Sequence, residues 1–502
     1  MRATLAALSK GCLGALLFWC LGLAALLACA AAATCSFFGG WCYAEHLRSR
    51  QALATTIARL ADRGEVIGLA PAPDEPGPSD PGLARASEIL RSLSSDFAIG
   101  RSWPKCRELL GAGTARVAWR GESAPSRDIP LSWDDVACQL EMAHETLEEI
   151  RALLDTGEGR VATAADEASD RSIAPWLAWS AMDRLHNLDT PGAVCEVARI
   201  RRLADRHRER PTLDGQLWRC ALLKGAVRLS WEVLQAPALD PETLRALDAL
   251  WAEDRPLAGV ASTLRRERSA GLGAFAAMIR SMETDVHWKT HLEHIGQALA
   301  ERPDLVAGAG EATAWLRYGA WRLLWADEEM ARFLDTMQDL IDLLERDPGH
   351  VSWRTIRATW AAAEGGMSGQ PSRMGLDRLV IGSGGLNGGR AACQVILEYE
   401  AERRMLLADV ARARFELEHG ETPSDLGRLV PAYLPSVPVD PMDGSPMRFR
   451  LNPRGEPVMY SVGPDCRDDD GDAERPDAKP AAALSHCRDM VWPIPDFARS
   501  TQ

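Results

Sequence analysis

Three histidines form the densest set of ligand-type side chains in the chain. His287, His291 and His294 recur at i, i+4 and i+7, so a helix presents all three on one face, with Glu283 a turn earlier and Glu293 beside them. Neutral imidazoles at this spacing can ligate zinc or another transition metal, and a neighbouring carboxylate can serve as ligand or general base. That is the chemistry of a metal-dependent hydrolase. Trp288 follows the first histidine, so the pattern is not H-E-x-x-H; the competing reading is three histidines on a solvated face.

A second set is carboxylate. Between Asp465 and Asp477 lie seven acidic residues against Arg467 and Arg475. Such a concentration is costly unless it is solvated or neutralised, and calcium takes about 6–8 oxygen ligands. Asp465, Asp468, Asp470 and Asp472 are the candidate side-chain ligands, with backbone oxygens near Ser461 and Val462 as additions; the spacing is not that of an EF-hand.

Other arrangements carry less chemistry. Asp134-Asp135 and Glu148-Glu149 sit in charge-rich helical sequence, and carboxylate pairs catalyse only where their environments separate their pKa values. The segment Leu379 to Gly389 is rich in glycine but lacks the βαβ context of a dinucleotide loop, which leaves a hinge. Ser368 in Gly366-Met367-Ser368-Gly369-Gln370 misses the last glycine of a nucleophile elbow. The charged run Arg201 to Arg210, with His207 inside it, reads as a solvated helix face. No catalytic residue is assigned.

The elements that must position these groups begin with an export signal. Arg2 and Lys10 precede a charge-free run from Gly11 to Ala44 with its apolar centre from Leu13 to Ala33. At 1.5 Å per residue that centre measures about 31 Å, against a hydrocarbon core of about 30 Å. Three readings stay open: a signal anchor contacting the membrane through residues 11–38, a signal peptide cut near Ala31-Ala32-Ala33 with a secreted product, or a lipoprotein signal ending at Cys29. Basic residues before the span keep its start cytoplasmic, so each reading places the bulk of the chain outside the cytoplasm, on the periplasmic side of a bacterial inner membrane for the anchor.

Export permits disulfides. Beyond the span lie Cys35, Cys42, Cys106, Cys138, Cys195, Cys220, Cys393, Cys466 and Cys487. Pairing sequence neighbours gives 35–42, 106–138, 195–220 and 466–487, with Cys393 left over; connectivity is not deducible from sequence. No C-x-x-C is present, which argues against redox catalysis.

The 502 residues, 46% apolar and 25% charged, suffice for two or three folded units, and a net charge of −14 argues against a nucleic-acid partner. Helical periodicity covers 51–67, and residues 70–82 form a Pro-rich linker. Helices follow at 83–94, 134–155, 174–186, 192–207, 214–235, 241–251, 257–281, 290–300, 311–325, 327–345 and 352–363, their tryptophans reading as core. After a Gly-rich linker at 366–390, a helix over 391–419 carries Ile396, Tyr399, Leu406, Val410, Ala413 and Leu417 on its packing face, and Gly420 supplies a C-terminal cap. Strands follow at 447–451 and 457–462 around Asn452-Pro453-Arg454-Gly455.

Here the residues resemble a known family. The path Leu429-Val430-Pro431-Ala432-Tyr433-Leu434-Pro435-Ser436-Val437-Pro438-Val439-Asp440-Pro441, then Asp443-Gly444-Ser445-Pro446-Met447-Arg448-Phe449-Arg450 and Tyr460-Ser461-Val462-Gly463-Pro464-Asp465, resembles the C-terminal part of the type II secretion major pseudopilin. The resemblance covers residues 391–493 and implies a long helix packed on a small sheet, with calcium in the loop after the last strand of the pattern. The chain departs from that family at its start: the span from Leu13 to Ala33 contains no Glu, and more than 350 residues separate it from the matching helix. Filament assembly is therefore not implied.

The expected fold class is mainly α: a membrane segment (1–44), an irregular multi-helical extracytoplasmic domain (45–365), the linker, and an α+β pseudopilin-like module (391–502). The expected function is that of a structural or interaction protein of the bacterial envelope, associated with secretion or pili and stabilised by calcium, with envelope or secretion-apparatus proteins as partners. The alternative is the metal-dependent hydrolase.

Overall fold

Capping chemistry sets where several helices begin. In a computed structural model, which describes residues 33–67, 80–96, 103–104, 107–110, 114–124, 131–156, 161–163, 165–208, 210, 212–237, 239–257, 259–281, 320–346, 351–368, 385–451, 457–472 and 489–492, the chain is mainly helical. Residues 33–62 are helical (α1), and α2 (Pro81–Asp96) starts where Asp80 Oδ1 accepts the amides of Gly82 and Leu83 at 3.0 and 3.1 Å. Two short hairpins follow, β1 (Arg107–Leu110) with β2 (Thr114–Val117) and β3 (Ser123–Ala124) with β4 (Leu131–Ser132); the periodicity did not predict them.

The expected helix over 134–155 is two helices, α3 (Trp133–Met142) and α4 (His144–Asp155), divided at Ala143. Asp135 is spent on a capping box, in which Ser132 Oγ accepts its amide at 3.1 Å while its carboxylate accepts the Ser132 amide at 2.9 Å. α5 (Asp166–His186) starts well before the expected residue 174 and carries Pro175 inside it; buried Ser169, Asp170 and Ile173 secure the turns before the proline. α6 (Thr190–Asp205), α7 (Leu213–Leu234) and α8 (Pro241–Ala252) open on Asp189, Thr212 and Asp240, each accepting an amide three residues on. α9 (Val260–Ser281), α10 (Ala326–Arg346) and α11 (Trp353–Ser368) complete the body.

The long helix α12 (Gly385–His419) begins inside the expected Gly-rich linker, as α11 ends inside it. Gly388 and Gly389 lie beside Leu213 and Leu264, where a Cβ would make ordinary contacts at 3.7 and 3.4 Å. Gly420, at φ +71°, ends the helix with its amide on the Glu416 carbonyl at 2.8 Å. Of the expected packing face, Ile396, Tyr399, Leu406 and Val410 are buried, Ala413 is half-buried and Leu417 is exposed.

Two compact units result, and their boundaries differ from the sequence-based division. One comprises 1–68, 274–335 and 370–383; the other comprises 69–273, 336–369 and 384–502, so the C-terminal strands belong with most of the helices. In the larger unit α5 packs on α6, α6 on α7, and α7 on α12, with α2 and α4 together beyond α5 and α8 against both α6 and α12. The core is aromatic and aliphatic, with Trp176, Trp179 and Trp251 fully buried. At its C-terminal end α12 carries an antiparallel sheet, β5 (Arg448–Leu451), β6 (Pro457–Ser461) and β7 (Met490–Trp492), with β6 central. The third strand was not expected from the sequence.

No helix among the described residues is long and apolar enough to cross a membrane. The expected span 13–33 lies outside the described residues except for its last position.

Candidate functional site

The loop that leaves β6 is built from three sides. Its first anchor is Asp440, fully buried before Pro441: Oδ1 accepts the Met442 amide at 2.9 Å and the Ser461 hydroxyl at 2.7 Å, and Oδ2 accepts the Val462 amide and Arg448 Nη1, both at 3.0 Å. Burial pushes this carboxyl upward while those donors oppose the shift. Arg448 also donates to both oxygens of Asp443 and, through Nε at 3.2 Å, to Asp468, tying the Asp-Pro turn to the acidic loop.

The second anchor is α11. Its first amides, on Trp353 and Arg354, donate to the Pro441 and Met442 carbonyls at 2.8 and 2.9 Å. Trp353 Nε1 and Arg357 take the Pro464 carbonyl, Arg357 also takes that of Asp465, and Arg354 that of Cys466.

The third is Asp489, which the sequence reading missed. β7 pairs Met490 with Ser461, so the residue before Met490 sits where the loop departs from β6. Asp489 is 2% exposed; its Oδ2 accepts the Asp469 and Gly471 amides at 3.0 and 2.6 Å. Its Oδ1 is buried with no hydrogen-bond partner among the described residues. Burial, assisted by the charges of Asp468 and Asp469, pushes this carboxyl up to about 6 despite the two amides. Gly471 is needed for this geometry: its φ is +74°, and a Cβ would meet the Tyr460 ring at 3.1 Å.

The four expected calcium ligands are therefore not equivalent. Asp468 is held by Arg448 and by the Tyr460 hydroxyl at 3.2 Å, and Asp465 turns back on the Arg467 amide at 3.0 Å. Asp470 is exposed and left-handed at φ +56°, and Asp472 is half-buried. Among the described residues no group of three or more His, Cys, Asp or Glu side chains is gathered as a metal site. Arginine supplies part of the neutralisation that a cation was expected to supply. No local signal marked Asp489, because strand pairing alone brings it to the loop.

A second concentration of charge lies between α7, α8 and α12. Lys224 meets Glu398 and Glu402, each at 3.2 Å; Arg219 donates to Asp254 at 2.6 Å, and Asp254 also accepts Tyr399 Oη at 2.5 Å. Arg403 pairs with Glu400 at 2.7 Å and donates to the Trp251 carbonyl. The carboxylates around them hold Lys224, Arg219 and Arg403 more firmly protonated, outweighing their burial, and burial raises Tyr399 well above its usual value. Groups shifted away from neutrality suit a structural network, not acid–base chemistry.

The run Arg201 to Arg210 is not a solvated face. His207 is fully buried with Nε2 2.5 Å from Asp170, and buried Arg206 lies 3.1 Å from Asp170. Arg202 and Arg210 pair with Asp155 and Glu167. The helices on either side supply carboxylates in register, which a single-helix view does not show. Glu148 and Glu149 likewise pair with Arg151 and Arg85.

Two expected disulfides are not formed in this structure. Cys35 and Cys42 both lie on α1, where seven residues of rise separate their Cα atoms by about 10 Å, beyond the reach of a bridge. Cys195 is exposed on α6 and Cys220 buried in α7, and both thiols are free. Cys138 and Cys466 are free as well, but their expected partners Cys106 and Cys487 have no described surroundings, so those pairings lie outside the described residues. So do His287, His291 and His294. No family model, no curated protein and no solved structure matches the chain.

Proposed function

We propose that the chain is a membrane-anchored extracytoplasmic protein of the bacterial envelope, with a structural or interaction role in secretion- or pilus-type machinery, whose C-terminal module is closed by calcium. The observation that carries the calcium reading is Asp489: a buried carboxylate that accepts two amides of the acidic loop and whose other oxygen has no hydrogen-bond partner among the described residues. Calcium there would give that oxygen a partner and favour the ionised carboxylate. Asp489 and backbone oxygens of the loop are the groups to hold it, and the loop carboxylates, which are not gathered there among the described residues, would have to close onto it. The uncharged run from Gly11 to Ala44 supports the anchor. The paired state of the buried charges supports a scaffold over an enzyme.

Protease digestion of whole cells and spheroplasts, with calcium or with chelator, tests both parts. The body is expected to be cut only in spheroplasts, and the C-terminal tail to resist cleavage only with calcium. Protection of the body in spheroplasts would overturn the extracytoplasmic placement. A tail cut equally in calcium and chelator would overturn the calcium site.

A further inference from the structure

The helix α1 changes character at residue 45. Every position from 33 to 41 is exposed, so the helix surface there is open all the way round. What it exposes is apolar: Phe37 is 79% exposed, Phe38 61%, Trp41 43% and Tyr43 66%. No charged residue lies between Lys10 and Glu45. From there on the helix is held by its own unit. Glu45 accepts Trp325 Nε1 at 3.2 Å, His46 Nδ1 lies 2.6 Å from the Leu323 carbonyl, Ser49 accepts the Glu328 amide at 2.9 Å, and Arg59 pairs with Asp335. Leu47 and Leu323, at the level of the His46 contact, are also exposed.

Four exposed aromatic rings on an uncharged helix would be a poor water-facing surface, and the chain before them indicates what covers it. Residues 11–44 contain no charge, and at 1.5 Å per residue they measure about 50 Å; a bilayer with both headgroup layers is about 40–45 Å thick, which a modest tilt reconciles. Trp and Tyr favour the headgroup level, where a ring can be half apolar and half hydrated. We infer that residues 33–44 are a lipid-interface segment, with Phe37, Phe38, Trp41 and Tyr43 among the headgroups and the membrane surface crossing α1 between Tyr43 and Glu45. Because α1 continues without a break to residue 62, the unit that holds its second half is fixed at the bilayer surface by a rigid stem with no flexible tether. This inference rests on the anchor reading and adds to it the position of the boundary.

The test places the photocrosslinker p-benzoylphenylalanine at Phe37, Trp41 or Tyr43, and at Arg50 or Ala54 as controls, in the full chain reconstituted into phosphatidylethanolamine–phosphatidylglycerol vesicles. Lipid adducts and the N-terminus are both read by mass spectrometry. Adducts at 37, 41 and 43 and none at 50 and 54 are expected. An intact N-terminus without adducts at 37–43 overturns the inference and leaves the anchor standing. A chain trimmed near Ala33 that still forms adducts overturns the anchor and keeps the lipid-binding segment; a trimmed chain without adducts overturns both.

Discussion

Two regions of the larger unit concentrate charge and resolve it differently. Between α7, α8 and α12 the buried carboxylates face cations or a hydroxyl: Glu398 and Glu402 face Lys224, Asp254 faces Arg219 and Tyr399, and Glu400 faces Arg403 of its own helix. In the loop after β6 the acids outnumber the cations, Asp469 and Asp470 remain in solvent, and one oxygen of the buried Asp489 has no hydrogen-bond partner among the described residues. The first arrangement sets its acids against cations from the same chain, while both Glu402 oxygens and Arg219 Nε are buried with no hydrogen bond among the described residues. The second keeps an excess of acid over cation within the loop itself. Acidity summed over the whole chain hides this distinction.

The comparison breaks most sharply in the helical layer. Asp254→Ala leaves Arg219 buried without its closest carboxylate and Tyr399 without its acceptor, and removing one partner of such a pair costs about 3–5 kcal/mol. Urea unfolding followed by tryptophan emission should show a loss of that size, unaffected by calcium. A loss below about 1 kcal/mol would mean water reaches this layer and that it is not the sealed network described.

Next comes the hinge of the sheet. Asp440→Ala deprives two amides, the Ser461 hydroxyl and Arg448 of their acceptor, and hydrogen bonds to a charged group are worth about 1.5–3 kcal/mol each before relaxation. Net destabilisation of about 2–3 kcal/mol is expected, with early proteolysis confined to residues after the Asp-Pro turn. Cleavage spread evenly over the helical layers would show that the turn does not act locally.

An effect of similar size but more diagnostic lies at Asp489. Its carboxyl is raised from 3.8 to about 6, so the stability contributed by the neutral form is fully present below the unfolded value and lost as pH rises through about 6. Without calcium the module should therefore melt at lower temperature at neutral pH than in mild acid, and Asp489→Asn should flatten that slope. With calcium the neutral-pH loss should be recovered in the parent chain and not in the variant, by about 2.7 kcal/mol at a hundredfold excess over Kd. Equal responses of parent and variant to calcium would place the ion elsewhere.

What the sequence made legible follows the range of the interactions. Caps such as Asp189, Thr212 and Asp240 act within three residues, and the helices they open were readable to within two residues. The apolar face of α12 was readable in its first four members and failed at Leu417, where the helix outruns its neighbours. Asp440 and Arg448 stood inside the motif that carried the resemblance, yet their pairing needed the sheet. Asp489 and the carboxylates around Arg206 and His207 were illegible because their partners come from other strands and helices. Composition flagged the acidic loop, but strand register chose its central residue.

The smallest expected effect separates the two regions by their thiols. Cys195 lies exposed on α6, so Cys195→Ser should change stability by no more than about 0.5 kcal/mol, where loss of a bridge of this loop length would cost about 3 kcal/mol. Cys220 is buried beside the charged layer, and burial pushes its thiol up to about 12, which leaves almost no thiolate to react. Maleimide should therefore modify Cys195 in the folded chain and reach Cys220 only after denaturant. Cys466 stands between these extremes, half-buried at the base of the loop and raised by burial against the pull of Arg357 and Arg354. Calcium that closes the loop should slow its labelling while leaving Cys195 unchanged. Slowing at both sites would instead mean that the cation acts on the helical layers, and the contrast between the two regions would fail.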